Sequence, residues 1–256
     1  MLSVKNLAIG YQNKVGSTVV VKTIDFLLNS GELTAIVGIN GIGKSTLLRT
    51  LGNAQAKLSG SIYINEKPLE TYRPLTLASE ISMVLTEPIA SKNMTALELV
   101  SLGRQPYTNW IGTLSNNDKL KIKQALHLLE LEDLQHKKCY ELSDGQLQRV
   151  MIARALAQDT SIMLLDEPTT HLDLYHRVQI LKLLKSIAHQ TQKTILLTTH
   201  EIETAIQICD KMLLLDGKKN PFGQPCELIE KKAFESLFPS DTVSFDALTG
   251  SFRIEK

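Results

Sequence analysis

The sequence predicts an α/β fold in which a parallel-sheet core follows an N-terminal antiparallel β region and carries an inserted helical subdomain. Three observations lead there: strand-like alternation of apolar residues in the first third, a helical period in the middle, and short unbroken apolar runs in the last part. At 256 residues, 43% hydrophobic and 21% charged, the chain has enough apolar content for a large core. Disorder is not expected.

The alternation comes first. Leu2 and Val4, Leu7 and Ile9, then Ile24, Phe26 and Leu28 follow the period of half-buried strands, as do Ile62 and Ile64 on either side of Tyr63. From Ala96 to Gln158 the period changes to that of a helix: Ile122, Ala125, Leu126 and Leu129 share one face, and Leu147, Val150, Met151 and Ala155 another. Beyond this insert, the runs Ile162 to Leu165, Thr194 to Leu197 and Met212 to Leu215 read as strands buried on both faces. Val178, Leu181, Leu184 and Ala188 mark a helix between the first two, so strand and helix alternate. The ending TVSFD, ALTG, SFRIEK predicts a hairpin. No repeat or linker divides the chain, which is expected to be one domain with a core over 1–86 and 160–256 and a helical subdomain over 87–159.

Charge and cysteine content exclude several classes. A formal net charge of +1 provides no basic field for nucleic acid. Cys139, Cys209 and Cys226 are odd in number and widely spaced, which argues against a disulfide framework or a zinc site. The start MLSVKNLAIG lacks the basic and apolar regions of a signal peptide. The longest apolar runs stop at Asp, far short of the roughly 20 residues that span a bilayer.

Two segments carry chemistry by themselves. The apolar strand Leu33 to Val37 runs into GINGIGKST, Gly38 to Thr46, and then into the helix-forming LLRTL. Glycines let backbone amides converge on phosphate, the following helix points its dipole at the anion, and Lys44 reaches the β- and γ-phosphates while Ser45 can ligate magnesium. SIMLLDEP places Asp166 and Glu167 at the carboxyl end of a buried strand, where open α/β sheets bind ligands. Asp166 would hold a metal, and Glu167 would orient or deprotonate an attacking water. The competing reading is a helix start, with a capping carboxylate and Pro168 in the first turn. LSDGQLQRV, Leu142 to Val150, precedes an amphipathic helix, so Ser143 or Asp144 could simply cap it.

In order, GINGIGKST, LSDGQ, IMLLDEP and the His closing TILLTTH resemble the motifs of ATP-binding cassette proteins, over nearly the whole chain. The resemblance implies a P-loop NTPase (RecA-like) core that hydrolyses ATP with Mg2+, and a head-to-tail homodimer with two ATP sandwiched between subunits. It implies that Gly38, Asn40, Gly41, Gly43, Lys44, Ser45 and Thr46 hold the nucleotide, and that Tyr11 stacks on adenine. Ser143, Gly145 and Gln146 would meet the γ-phosphate held by the partner, and His200 would contact the γ-phosphate and the catalytic Glu167. Asp173, in THLD, matches the loop that links the two sites, although Thr170 and His171 replace the usual small residues. Two other departures stand out. Glu87 takes the place of a Gln that helps ligate magnesium; with Ser45 and Asp166 its carboxylate can still ligate the metal, but it loses the amide's donor and adds charge beside phosphate. Asp144 replaces the commonest Gly of the signature, where a carboxylate would repel phosphate unless paired or turned away.

ELVSLGRQPYTNWIGTLSNND and FDALTGSF look like the ATPases of importers for iron(III) siderophores, haem and cobalamin. That resemblance implies an ATPase homodimer docked on two copies of a membrane permease, at the cytoplasmic face of the cell (inner) membrane, with an extracytoplasmic substrate-binding protein delivering the chelate. Glu87 and Arg104 to Trp110 would lie where the family meets its permease, or else pack within the helical subdomain; Trp110 could be such a packing residue. A soluble cassette ATPase that remodels a cytosolic assembly, such as an iron-sulfur scaffold, is the alternative. A nucleotide-binding module that regulates without hydrolysis is a third reading.

Overall fold

The computed structural model describes residues 1–13, 16–87, 91–170, 172–238 and 243–254. The alternating first third forms an antiparallel sheet of β1 (Leu2–Asn13), β2 (Gly16–Leu28), β4 (Ser59–Ile64) and β5 (Lys67–Pro68), in the order β2-β1-β4-β5. Its inward side chains, Leu2, Leu7, Ile9, Ile24, Leu28 and Ile64, are fully buried. The larger sheet has the order β10-β9-β3-β8-β7-β6, built from β3 (Leu33–Val37), β6 (Ile81–Val84), β7 (Ile162–Leu165), β8 (Thr194–Thr198), β9 (Lys211–Leu214) and β10 (Phe222–Gly223). All its pairings are parallel except β9 with β10.

Both faces of this sheet are covered, which is why its strands read as unbroken apolar runs. Ala35, Val37, Met163, Leu165, Ile195 and Leu197 join a core shared with the helices. Ile36, Ile162, Leu164 and Leu196 face the other way, onto α1 (Lys44–Leu51) and the antiparallel sheet. The short α2 (Pro74–Leu77) precedes β6. Between β6 and β7 lie α3 (Ala96–Ser101), α4 (Asn116–Leu128) and α5 (Asp144–Ala157), all within the span 87–159 read as helical. Capping boxes at Thr95, Ser115 and Ser143 start them.

α6 (Leu174–Thr191) crosses from β7 to β8, and α7 (Ile202–Ile208) from β8 to β9. α8 (Pro225–Glu230) and the hairpin of β11 (Val243–Asp246) and β12 (Ser251–Ile254) follow, the hairpin as the sequence predicts. Among the described residues the three cysteines are free, and no helix is long and apolar enough to cross a membrane.

This topology gathers the motifs at one edge. β3, β8, β7 and β6 are neighbours and run in the same direction, so the segments leaving their carboxyl ends lie side by side: Gly38–Thr46, His200, Asp166 with Glu167, and Glu87.

Candidate active site

The loop after β3 depends on glycine at the entry to α1. Gly43 caps the helix at φ 112, and a β-carbon there would stand 2.6 Å from Val20 Cγ1. Gly41, at φ 79, has nothing within 4 Å of its β-carbon position, which leaves the concave side of the loop open. The first amides of α1 have no intrahelical carbonyl and add to the positive end of the helix dipole. Lys44 is buried, and its Nζ donates to the carbonyls of Gly38 (3.0 Å) and Ile39 (3.3 Å). Burial pushes its amine below the ordinary lysine range, against the pull of Glu167 and Asp166. Tyr11, 56% exposed, stands at the rim with its hydroxyl 3.2 Å from Thr46 Oγ1. Together with Asn40, Ser45, Glu167 and His200 these residues line a cleft of about 440 Å³.

Asp166 is buried at the end of β7. Its Oδ1 accepts from Ser45 Oγ (2.9 Å) and Thr198 Oγ1 (2.7 Å), while its Oδ2 is buried with no partner among the described residues. A bare buried carboxylate oxygen beside a serine hydroxyl is a hard-oxygen pair suited to magnesium. Glu167 adopts φ 46, a left-handed conformation that a non-glycine residue holds at a cost of roughly 1–3 kcal/mol. Its amide donates to Thr198 Oγ1 (2.8 Å), and its Oε2 accepts from Thr170 Oγ1 (3.0 Å), so the side chain is fixed toward the cleft. His200 Nδ1 lies 3.7 Å from the same Oε2. No helix begins at Pro168; the chain turns through 170, and α6 starts at Leu174. The capping alternative for Asp166 and Glu167 is therefore corrected: these carboxylates face a cleft.

Other sequence-predicted residues stand apart from it. Glu87 is held by Arg49 of α1 at 2.7 Å rather than by Ser45 or Asp166. This cation offsets the charge that a carboxylate brings to the position. Ser143 caps α5, with Ser143 N–H donating to Gln146 Oε1 (3.1 Å) and Gln146 N–H to Ser143 Oγ (3.3 Å), so their polar groups satisfy each other. Gly145 follows within the first turn. Asp144 is exposed and borders, with Glu87, Asp166 and Glu167, a second cavity of about 290 Å³ between α5 and the strand ends. Asp173 caps α6, accepting from the His176 amide (2.9 Å), which holds its carboxyl below the usual range. His171 lies outside the described residues.

Of the two readings open for Arg104 to Trp110, permease surface or packing within the helical subdomain, the structure separates the ends of the segment. Arg104 is buried, donating to Asp118 Oδ1 (2.8 Å) and the Ala157 carbonyl (2.8 Å), so it holds the helices together and presents nothing to a partner. Trp110, for which packing is the alternative to a permease surface, is 94% exposed and does not pack.

Sequence reasoning missed Thr198 and Arg49, and noted Thr170 only as a departure from the usual small residues, not as a partner of Glu167. Thr198 left one signal, a hydroxyl that follows the apolar run Ile195–Leu197 where the strand ends at the site. Arg49 left none, since its partner comes from a distant strand end.

An amide-rich loop with a buried lysine, facing an acidic strand end with a bare oxygen, defines a nucleotide-hydrolysing P-loop protein. Comparison with known proteins gives the family. Residues 21–170 match the ABC transporter family. Over 256 residues the sequence is 37% identical to an uncharacterised ABC transporter ATP-binding protein of Methanocaldococcus jannaschii, covering all of this chain and 87% of that one. It is 36% identical to the iron(3+)-hydroxamate import ATP-binding protein of Bacillus subtilis, covering 94% of this chain and 88% of the relative. A metal-chelate type ABC transporter solved in an inward-facing conformation superposes with a TM-score of 0.79 at 30% identity, over 98% of this chain and 94% of that one. A dimeric ATP-binding cassette in a post-hydrolysis state with ADP and Pi superposes at 0.74 and 30% identity, over 88% and 99%. The chain belongs to the ABC transporter family and is its ATP-binding, ATP-hydrolysing subunit.

Proposed function

We propose that this chain energises an importer for an iron(III)-siderophore, haem or cobalamin-type chelate. It would bind as a homodimer to two copies of a permease at the cytoplasmic face of the cell (inner) membrane, with an extracytoplasmic substrate-binding protein upstream. Support for the cargo class comes from the hydroxamate import relative and the metal-chelate transporter.

The bare Oδ2 of Asp166 beside Ser45 carries the mechanistic reading. Mg2+ held by Ser45 and Asp166 would neutralise charge on the β- and γ-phosphate oxygens. Lys44 leaves its loop carbonyls to meet the phosphates, a charge-assisted exchange. Tyr11 stacks on the base, and the loop from Gly38 to Thr46 cradles the phosphates. Glu167 aligns and deprotonates water, and His200 steadies the γ-phosphate beside it. Ser143, Gly145 and Gln146 of the partner subunit close over that phosphate with a helix N-terminus, and Asp173 links the two sites. ATP draws the subunits together, hydrolysis lets them part, and the permease follows. Glu87, tied to Arg49, sits where that motion would reach the permease.

Affinity purification of Glu167→Gln from native membranes in ATP, with mass spectrometry of the co-purifying chains, tests the assignment. A polytopic permease is expected. Recovery of soluble scaffold proteins alone would replace the importer with a remodelling ATPase.

A further inference from the structure

His200 meets the cleft with one ring nitrogen, and the other leads away from it. Nε2 lies 3.1 Å from Glu201 Oε1, at the start of α7. Glu201 Oε2 lies 2.6 Å from Arg177 Nη1, in the first turns of α6. Arg177 Nη2 donates across 3.1 Å to the carbonyl of Leu172, the residue before Asp173. Leu172 is buried, with its Cδ2 3.6 Å from where a β-carbon on Gly145 would stand. A continuous set of contacts therefore joins the histidine at this chain's own nucleotide to the Leu172–Asp173 segment and Gly145, which in the proposed dimer serve the partner's nucleotide.

We propose that Glu201 and Arg177 are positioning residues for ATP hydrolysis, forming a carboxylate-guanidinium clamp that sets the His200 imidazole and the Leu172 main chain in one geometry. The clamp rests on the assignment of His200 to the γ-phosphate. Its chemistry suits the task. A guanidinium is planar and forked, so one arm holds a carboxylate while the other holds a carbonyl; an ammonium is a point charge and lacks that fork. The two oxygens of Glu201 are rigidly related, so seating one on Arg177 fixes where the other meets the ring. Thr199 Oγ1 accepts from the Glu201 amide at 3.0 Å and pins the backbone there. Arg177 Nε is buried without a partner among the described residues, so the side chain is placed by its two Nη contacts. Both side chains are mostly buried, at 20% and 25% exposure, where such contacts are screened less than at the surface.

Steady-state hydrolysis by the full chain, with nucleotide affinity read in the same preparations by a fluorescent ATP analogue, tests the clamp. Glu201→Ala and Arg177→Met are each expected to lower kcat about 10-fold with the KM for ATP within about 2-fold, because lost positioning acts on turnover more than on ground-state binding. Arg177→Lys, which keeps the charge and loses the fork, should match Arg177→Met. The double variant should lose no more than the worse single, as two links of one clamp do. If Glu201→Ala folds poorly, Glu201→Gln keeps the volume and carries the same expectation. Unchanged kcat in either single, or losses that multiply in the double, overturns the clamp. His200→Ala separates the two claims: wild-type turnover there removes the role of His200 and the clamp with it, whereas a slowed His200→Ala beside an unaffected Glu201→Ala removes the clamp alone.

Discussion

At the strand ends, Asp166 shares one oxygen between two hydroxyls and keeps the other bare, whereas in the helical segment Arg104 and Asp118 satisfy each other out of water. The same contrast runs through the neighbouring residues. Glu167 is held in a left-handed backbone with its carboxylate turned into a cleft, while Ser143 and Gln146 close a capping box on themselves. Trp110 and Ile111, apolar and within the helical segment, are exposed. The strand-end site thus holds unspent polar capacity within one chain, ready for a small polyanionic ligand. Among the described residues no buried polar side-chain atom of the helical segment lacks a partner, and the segment presents exposed apolar side chains instead, the kind of surface that suits a protein partner.

The largest expected effect separates structure from function inside the helical segment. Arg104→Met leaves the Asp118 carboxylate buried without its cation and should cost about 3 kcal/mol, read as a lower urea midpoint. An unaltered midpoint would mean that Arg104 is free to serve a partner after all. Acid offers a second probe of the pair. The Ser115 hydroxyl, with the Ser115 amide and Arg104, holds the Asp118 carboxyl below the usual range. Its contribution to stability is therefore fully present above the ordinary aspartate value near pH 4 and is lost as pH falls through the depressed folded value. Asp118→Asn should start from a lower midpoint at neutral pH and lack this component of the acid decline.

A smaller effect is expected in the cleft. Lys44→Ala should weaken ATP binding by about 10-fold or more, the worth of a charge-assisted contact to phosphate, with little loss of fold stability. Equal affinity in calorimetry would count against the loop as the phosphate site. Smallest of all, Trp110→Ala should change unfolding free energy by no more than about 0.5 kcal/mol, as exposed substitutions do. A clear loss in the isolated chain would place the tryptophan in the core and erase the contrast with Arg104.

Legibility in the sequence followed the same division. β3, its glycine loop and α1 could be read because strand, glycines, lysine and helix are contiguous and each has one physical use. β7 with Asp166 was readable for a similar reason: adjacent carboxylates at the end of a buried apolar run are costly to desolvate and fit best where a ligand or metal compensates them. The roles of Thr198 and Thr170 escaped because they depend on which strand ends become neighbours, and hydroxyls at such positions carry no periodic signal. Arg49 and Glu87 are joined only by the fold. In the helical segment the usual priors inverted: a long charged side chain is buried on a partner, and the one tryptophan is outside. β10 was missed because Phe222–Gly223 is too short to alternate.

The central claim is that Glu167 is the base of a site whose ATP is held by other residues. Single-turnover hydrolysis and ATP affinity measured side by side on wild type and Glu167→Gln test it most directly. A fall in rate of about 10²-fold or more with affinity unchanged is predicted, the value of a positioned base; near-normal turnover, or a loss confined to affinity, would contradict it.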